Sequence, residues 1–108
     1  HVPTLKTGPH PIAALANKDV NLYSDLLLHD MGPGLSDWTP QEMATPSEFR
    51  TAPLWGLRFR TLFLHDGRAT SIDAAIREHG GEAQEARSRY EALTALERSA
   101  LLNFLRFL

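Results

Sequence analysis

The sequence contains no cysteine. Disulfides, thiolate metal ligands and thioether links to a prosthetic group therefore have no residue to form on within it. Nor does any apolar run approach the roughly 20 residues needed to cross a bilayer, and no signal-peptide pattern is present. The net charge of −2 leaves no basic footprint of the kind nucleic-acid binding uses. Gly-rich phosphate loops, His-Glu-X-X-His zinc helices and Gly-X-Ser-X-Gly nucleophile turns are all missing.

What remains is an ordinary globular composition, 43% apolar and 22% charged, in 108 residues. That length predicts a single domain over 1–108, close to the size at which one hydrophobic core becomes adequate. The first residue is His1 rather than Met, which fits a processed or excised piece of a larger protein.

The most organised stretch runs from Phe63 to Ala83. Asp66-Gly67 is a turn dipeptide, since glycine reaches positive φ at no steric cost. Thr70 or Ser71 can cap the helix that follows, with Asp73 near its positive end. Ile72, Ala75, Ile76 and His79 recur at i, i+3, i+4 and i+7, on one helical face. Gly80-Gly81 stops the helix. A histidine thus closes a buried stripe. On this helix alone, a core histidine bonded to a backbone carbonyl competes with a ligand.

Elsewhere the pattern is looser. His1 to Pro11 holds three prolines and reads as an extended arm. Pro11 to Lys18 fits one or two helical turns or a loop. Val20 to Met31 is apolar, closed by Gly32-Pro33-Gly34, and fits a short strand or a helical turn. Leu35 to Phe49 reads as a long loop. Pro53 suits the first turn of a helix. Glu82 to Leu93 predicts a helix with Ala83, Ala86, Tyr90 and Leu93 on one side. Thr94 to Glu97 has the capping-box pattern, opening a last helix with Leu101, Phe104, Leu105 and Leu108 on one face.

The chemical inventory is five histidines, two methionines and a set of arginines. His29-Asp30 and His65-Asp66 offer imidazole and carboxylate to a divalent cation, although a two-residue match arises often by chance and Asp66 is better explained by its turn. Met31 could give a thioether to iron, or simply fill a core; Met43 has no supporting context. Arg50, Arg58 and Arg60 are either solvated or anchors for carboxylates, which guanidinium forks match bidentately. Trp55 reads most simply as core packing. His10 reads as exposed.

Several segments occur in order over nearly the whole chain: His1-Val-Pro-Thr-Leu5, Tyr23-Ser-Asp-Leu-Leu-Leu-His-Asp-Met-Gly32 and Phe49-Arg-Thr-Ala-Pro-Leu-Trp-Gly-Leu57. Leu64-His-Asp-Gly-Arg-Ala69, Ala75-Ile-Arg-Glu-His-Gly-Gly-Glu-Ala83 and Leu101-Leu-Asn-Phe-Leu-Arg-Phe-Leu108 continue the series. Through these the sequence resembles the C-terminal part of bacterial di-haem oxidoreductases, also labelled thiol oxidoreductases and related to di-haem cytochrome c peroxidases.

The resemblance implies an all-α, class I cytochrome c-like domain with long irregular loops. It implies haem c as cofactor, attached through a Cys-X-X-Cys-His motif whose last residue falls at His1; the motif's cysteines are not in this sequence. At the place of the related peroxidases' methionine ligand stands His79, so His1 and His79 become the expected iron ligands. Met31, Arg50, Trp55, His65 and Arg68 become candidate haem contacts, the two arginines toward propionates. His29 and Asp30 would support the haem edge or a domain interface. The implied role is electron transfer through a low-spin bis-His haem. No catalytic residue is expected in this domain, and a periplasmic location is. The expected partner is the N-terminal haem domain of the parent protein or another redox partner, with no nucleic acid and no membrane span. Two alternatives stand beside it: a haem-free structural or interaction domain of the same fold, and a His/Asp metal site built from His29, Asp30, His65 and Asp66. The cysteine-free sequence lends the thiol label no support.

Overall fold

All seven prolines lie at or before Pro53, and six non-glycine residues with positive φ, from Asn17 to Leu64, lie at or before residue 64. Proline removes an amide donor and positive φ breaks helical propagation. The computed structural model describes residues 1–108, and in it no α-helix precedes Ile72. The first two-thirds of the chain is loop, short strand and 3-10 turn.

Two small antiparallel sheets give that region its shape. Strand β1 (Leu5–Lys6) pairs with β2 (Asp19–Val20), in the register Leu5 to Val20. Strand β3 (Leu28–Asp30) pairs with β4 (Glu48–Arg50), placing His29 opposite Phe49. Three helices follow: α1 (Ile72–Glu78), α2 (Gln84–Glu91) and α3 (Ala95–Leu105). The all-α expectation is therefore wrong. The fold is mixed, three helices beside two two-stranded sheets.

The helical third follows its local signals. Ser71 caps α1, its side chain accepting from the Ala74 amide at 3.1 Å. Ala75 is buried and Ile72, Ile76 and His79 are half-buried, as the stripe predicts. In α2, Tyr90 is buried, but Ala86 faces solvent and Arg87 takes an inward place. Thr94 and Glu97 form a reciprocal capping box at the start of α3. Pro53 starts no helix; a 3-10 turn at Leu57–Phe59 follows it instead. Residues 11–18 make isolated turns, not a helix.

Few side chains are deeply covered. Leu35, Ala69, Ala75 and Tyr90 form the apolar core, and Ser24 is also wholly buried. The accessible surface is 7575 Å², against about 6,000 Å² for a compact monomer of this mass. The radius of gyration is 15.7 Å, against about 13 Å for a compact chain of this length. Specific polar ties do much of the holding. Ser24 Oγ donates to the Thr51 carbonyl at 2.6 Å and accepts from the Leu26 amide at 2.9 Å. Tyr23 meets Phe104 of α3 edge to face at 5.8 Å. The Gly56 amide donates to the Leu108 carbonyl at 2.8 Å, fixing the end of the chain.

The caps make independent predictions. S71A and T94A should each lower stability by about 1 kcal/mol in denaturant unfolding. In α3 the change should leave the spectrum of any cofactor bound at His79 untouched, because the Thr94–Glu97 box serves α3 alone.

Candidate functional site

His79 sits at the joint between α1 and the loop that crosses β3. It follows Glu78 as the C-cap, with extended backbone (φ −64°, ψ 125°). Its ring is half-buried, and Nδ1 lies 2.7 Å from the carbonyl oxygen of Ala75. A carbonyl only accepts, so Nδ1 is the donor of this bond and Nε2 is the ring nitrogen left without a partner. Donation from the far ring nitrogen to a carbonyl is what fixes the tautomer of a metal-binding imidazole. The helix prepares that arrangement locally, since Ala75 is one turn before His79.

His1 repeats the arrangement less firmly. Its Nδ1 is 2.8 Å from the Tyr23 carbonyl oxygen, which again leaves Nε2 as the free nitrogen, but the residue is exposed. The arm bearing it is tied back by the Tyr23 amide, which donates to the Pro3 carbonyl at 3.1 Å.

Just beyond His79 the chain makes a backbone-to-backbone crossing. A Cβ on Gly80 would stand 3.0 Å from the Met31 carbonyl oxygen, and one on Gly81 only 2.6 Å from the Gly32 nitrogen. Gly81 also has φ +52°. Both glycines are thus required by close approach, beyond ending a helix. The crossing lays the His79 loop directly on Asp30-Met31-Gly32, so the two segments that carry His79 and Met31 touch.

A polar clasp locks the crossing. His29 of β3 lies between two carboxylates, Nδ1 at 2.8 Å from Glu82 Oε2 and Nε2 at 2.8 Å from Asp25 Oδ2. Glu82 also accepts from the Asp30 amide at 3.2 Å. The Glu82 and Asp25 hydrogen bonds raise the His29 pKa above its usual value. The Leu27 amide, then the Thr51 hydroxyl and His29, hold the Asp25 carboxyl well below the usual carboxylate range. His29 and the Asp30 amide lower that of Glu82.

The other candidates are dispersed. Arg68 donates to Asp66 at 2.5 Å and to the Gly34 carbonyl at 2.7 Å, with Glu78 at 3.9 Å, so its guanidinium is committed to the turn. The Arg68 amide, foremost, lowers the Asp66 pKa. His65 stacks on Phe49 at 4.5 Å between centroids. Arg50 is exposed at the end of β4. Trp55 is 56% exposed, with its indole N–H donating to the Asn21 carbonyl, so it is no core residue. Met31 is half-buried, Met43 fully exposed.

The His/Asp metal reading does not survive this geometry. Both His29 nitrogens are engaged, Asp30 Oδ1 accepts from the Gly32 amide at 2.7 Å, and Asp66 is held by Arg68. No group of three or more His, Asp or Glu side chains is arranged to hold a metal ion. Sequence reasoning also missed Glu82, since nothing local marks a carboxylate 53 positions from its histidine, and Asp25, whose four-residue spacing from His29 lies in a segment that forms no helix. A second missed pair is Tyr90 and Asp73, whose phenol donates to the carboxylate across α1 and α2. Burial, with Asp73 beside it, pushes the Tyr90 pKa up to about 12.

A family model described as "Di-haem oxidoreductase, putative peroxidase" matches residues 1–108, the full length of the chain. The chain belongs to this family. No curated protein and no solved structure shows significant similarity to it. Within the di-haem oxidoreductase chain, the crossing and its clasp bring together the stretches around Met31 and His79. His1, Arg50 and Trp55 lie on other segments.

Two tests follow from the crossing. G81A should destabilise the fold by more than about 2 kcal/mol, from left-handed strain plus collision with backbone. H29Q should show a pH signature. His29 has a raised pKa, so its contribution is complete below its ordinary value of about 6.5 and is lost as pH rises through the raised value. Asp25 and Glu82 have lowered values, so theirs is complete above the ordinary carboxylate range and lost as pH falls through those values. The stability gap between wild type and H29Q should peak near about pH 5.5 and close on the alkaline side. Unfolding curves across pH check it; a gap independent of pH would refute the clasp.

Proposed function

We propose that this chain is the electron-relay domain of a di-haem oxidoreductase, holding a haem between the Nε2 atoms of His1 and His79. The single observation that supports it most is the His79 ring: half-buried, pinned through Nδ1 to Ala75, with Nε2 free. His1 offers the same tautomer. Large apolar side chains are left uncovered, among them Leu26, Leu27, Leu28 and Trp55, which is compatible with an apolar group that the chain itself does not supply.

A haem held there would supply reversible one-electron transfer. His1 and His79 would hold the haem with two imidazoles and leave peroxide no place to bind, so the proposed role is relay; peroxide chemistry would fall to a second haem domain, the proposed redox partner. Imidazole in place of a thioether sets a lower potential. Covalent haem c needs cysteines, and none of the 108 residues is one. These residues' own hold would rest on two imidazoles and apolar contact. A periplasmic location completes the reading.

Reconstitution of the purified chain with haemin tests it. The expected product is a low-spin spectrum with a sharp Soret band. H79A should abolish the low-spin form, and H79M should raise the potential by on the order of 100 mV, within the ~0.8 V that axial ligation spans. M31L should change neither. If M31L collapses the spectrum and H79A does not, Met31 is the distal ligand. A chain that stays colourless would leave the haem-free interaction domain as the function.

A further inference from the structure

The chain is net negative, yet among the cationic side chains without a carboxylate partner three are gathered in one place, Arg50 and Lys18 lying elsewhere. Arg68, Arg77 and Arg89 are ion-paired, while Arg87 and Arg98 donate to backbone carbonyls. Arg58, Arg60 and Arg106 have no carboxylate partner. All three line one cleft of about 490 Å³, between the 3-10 turn at Leu57–Phe59, the start of α1 and the end of α3. Its walls include Leu57, Phe63 and Ile72, and Thr61 and Thr70 add hydroxyls. That volume is in the range of small-molecule sites, about 300–1,000 Å³.

We propose that this cleft binds a small dicarboxylate with an apolar body, at a site separate from the haem ligands. Guanidinium forks pair bidentately with carboxylates, and three of them call for more than one anionic group. A compact anion would leave the Leu57, Phe63 and Ile72 walls uncovered, whereas a short hydrocarbon spacer covers them. Arg58 stacks on Phe59 at 4.6 Å, which holds one fork in place beside the cleft. Neither His1 nor His79 lines the cleft, so ligand binding here is independent of haem binding there.

The test is a nuclear magnetic resonance titration of the isotope-labelled, haem-free chain with octanedioate. Octane-1,8-diol and inorganic phosphate serve as comparison probes. The expected result is saturable movement of the Arg58, Arg60 and Arg106 side-chain N–H signals with octanedioate alone. R60Q and R106Q should each weaken binding about tenfold, one charge-assisted hydrogen bond's worth; both side chains are exposed. Three results would overturn the proposal. One is no saturation in the millimolar range. Another is equal binding of phosphate, which makes the cleft a general cationic surface. The third is displacement of octanedioate by haemin together with weaker haemin binding by R60Q, which makes the cleft the seat of the haem propionates.

Discussion

Two glycines pressed against a strand end set the terms for the rest of the molecule. Gly80 and Gly81 cross Asp30-Met31-Gly32 with no side chain between them, and a single added methyl would collide with backbone, which cannot give way as a flexible side chain can. That contact fixes the direction in which the chain leaves α1, and hence where His79 stands. It also delivers Glu82 to His29, 53 residues away in sequence, at hydrogen-bond distance. The clasp is a consequence of the crossing; it could not form if the backbones stood farther apart.

The same constraint explains how a thinly covered fold keeps a defined shape. Surface ion pairs such as Arg89 with Glu85 contribute little in water. The ties that matter are those with a covered partner: Ser24 bridging Thr51 and Leu26, the Tyr90 phenol on Asp73, and His79 on Ala75. Each would leave a polar group unsatisfied if broken, a larger penalty than the bond's net contribution. The first ties two loops of the first part together, the second joins α1 to α2, and the third holds the end of α1.

What could be read from the chain in advance divides by range. The Asp66-Gly67 turn, the Ser71 cap, the α1 stripe ending at His79 and the Thr94–Glu97 box are all settled within a few residues, and local chemistry was enough to see them. The sheets were not visible, because strands of two or three residues have no period to detect; Leu28 finds Arg50 only through the loop between them. Pro53 was compatible with a helix start, but the αL residue Gly56 turns the backbone into a 3-10 turn three residues later. Trp55 looked like core by its type, and the indole N–H instead reaches the Asn21 carbonyl from the surface. In α2 the expected inward residue Ala86 faces solvent, while Arg87 turns inward and donates to the Arg77 carbonyl, a long-range contact that the local pattern does not encode.

In the proposed relay the two imidazoles are not equivalent partners. His79 is fixed by helix, carbonyl and glycine crossing before anything binds, so little conformational freedom remains for it to lose. His1 itself hangs by one ring hydrogen bond on an exposed arm that is tied back only from Pro3, Thr4 and β1 onward, and ordering such an end costs on the order of 1–2 kcal/mol for each residue fixed. Affinity for haem would therefore be limited by the arm and geometry by the helix. If haem binds as proposed, the firm side would set its orientation and the loose side would limit its residence.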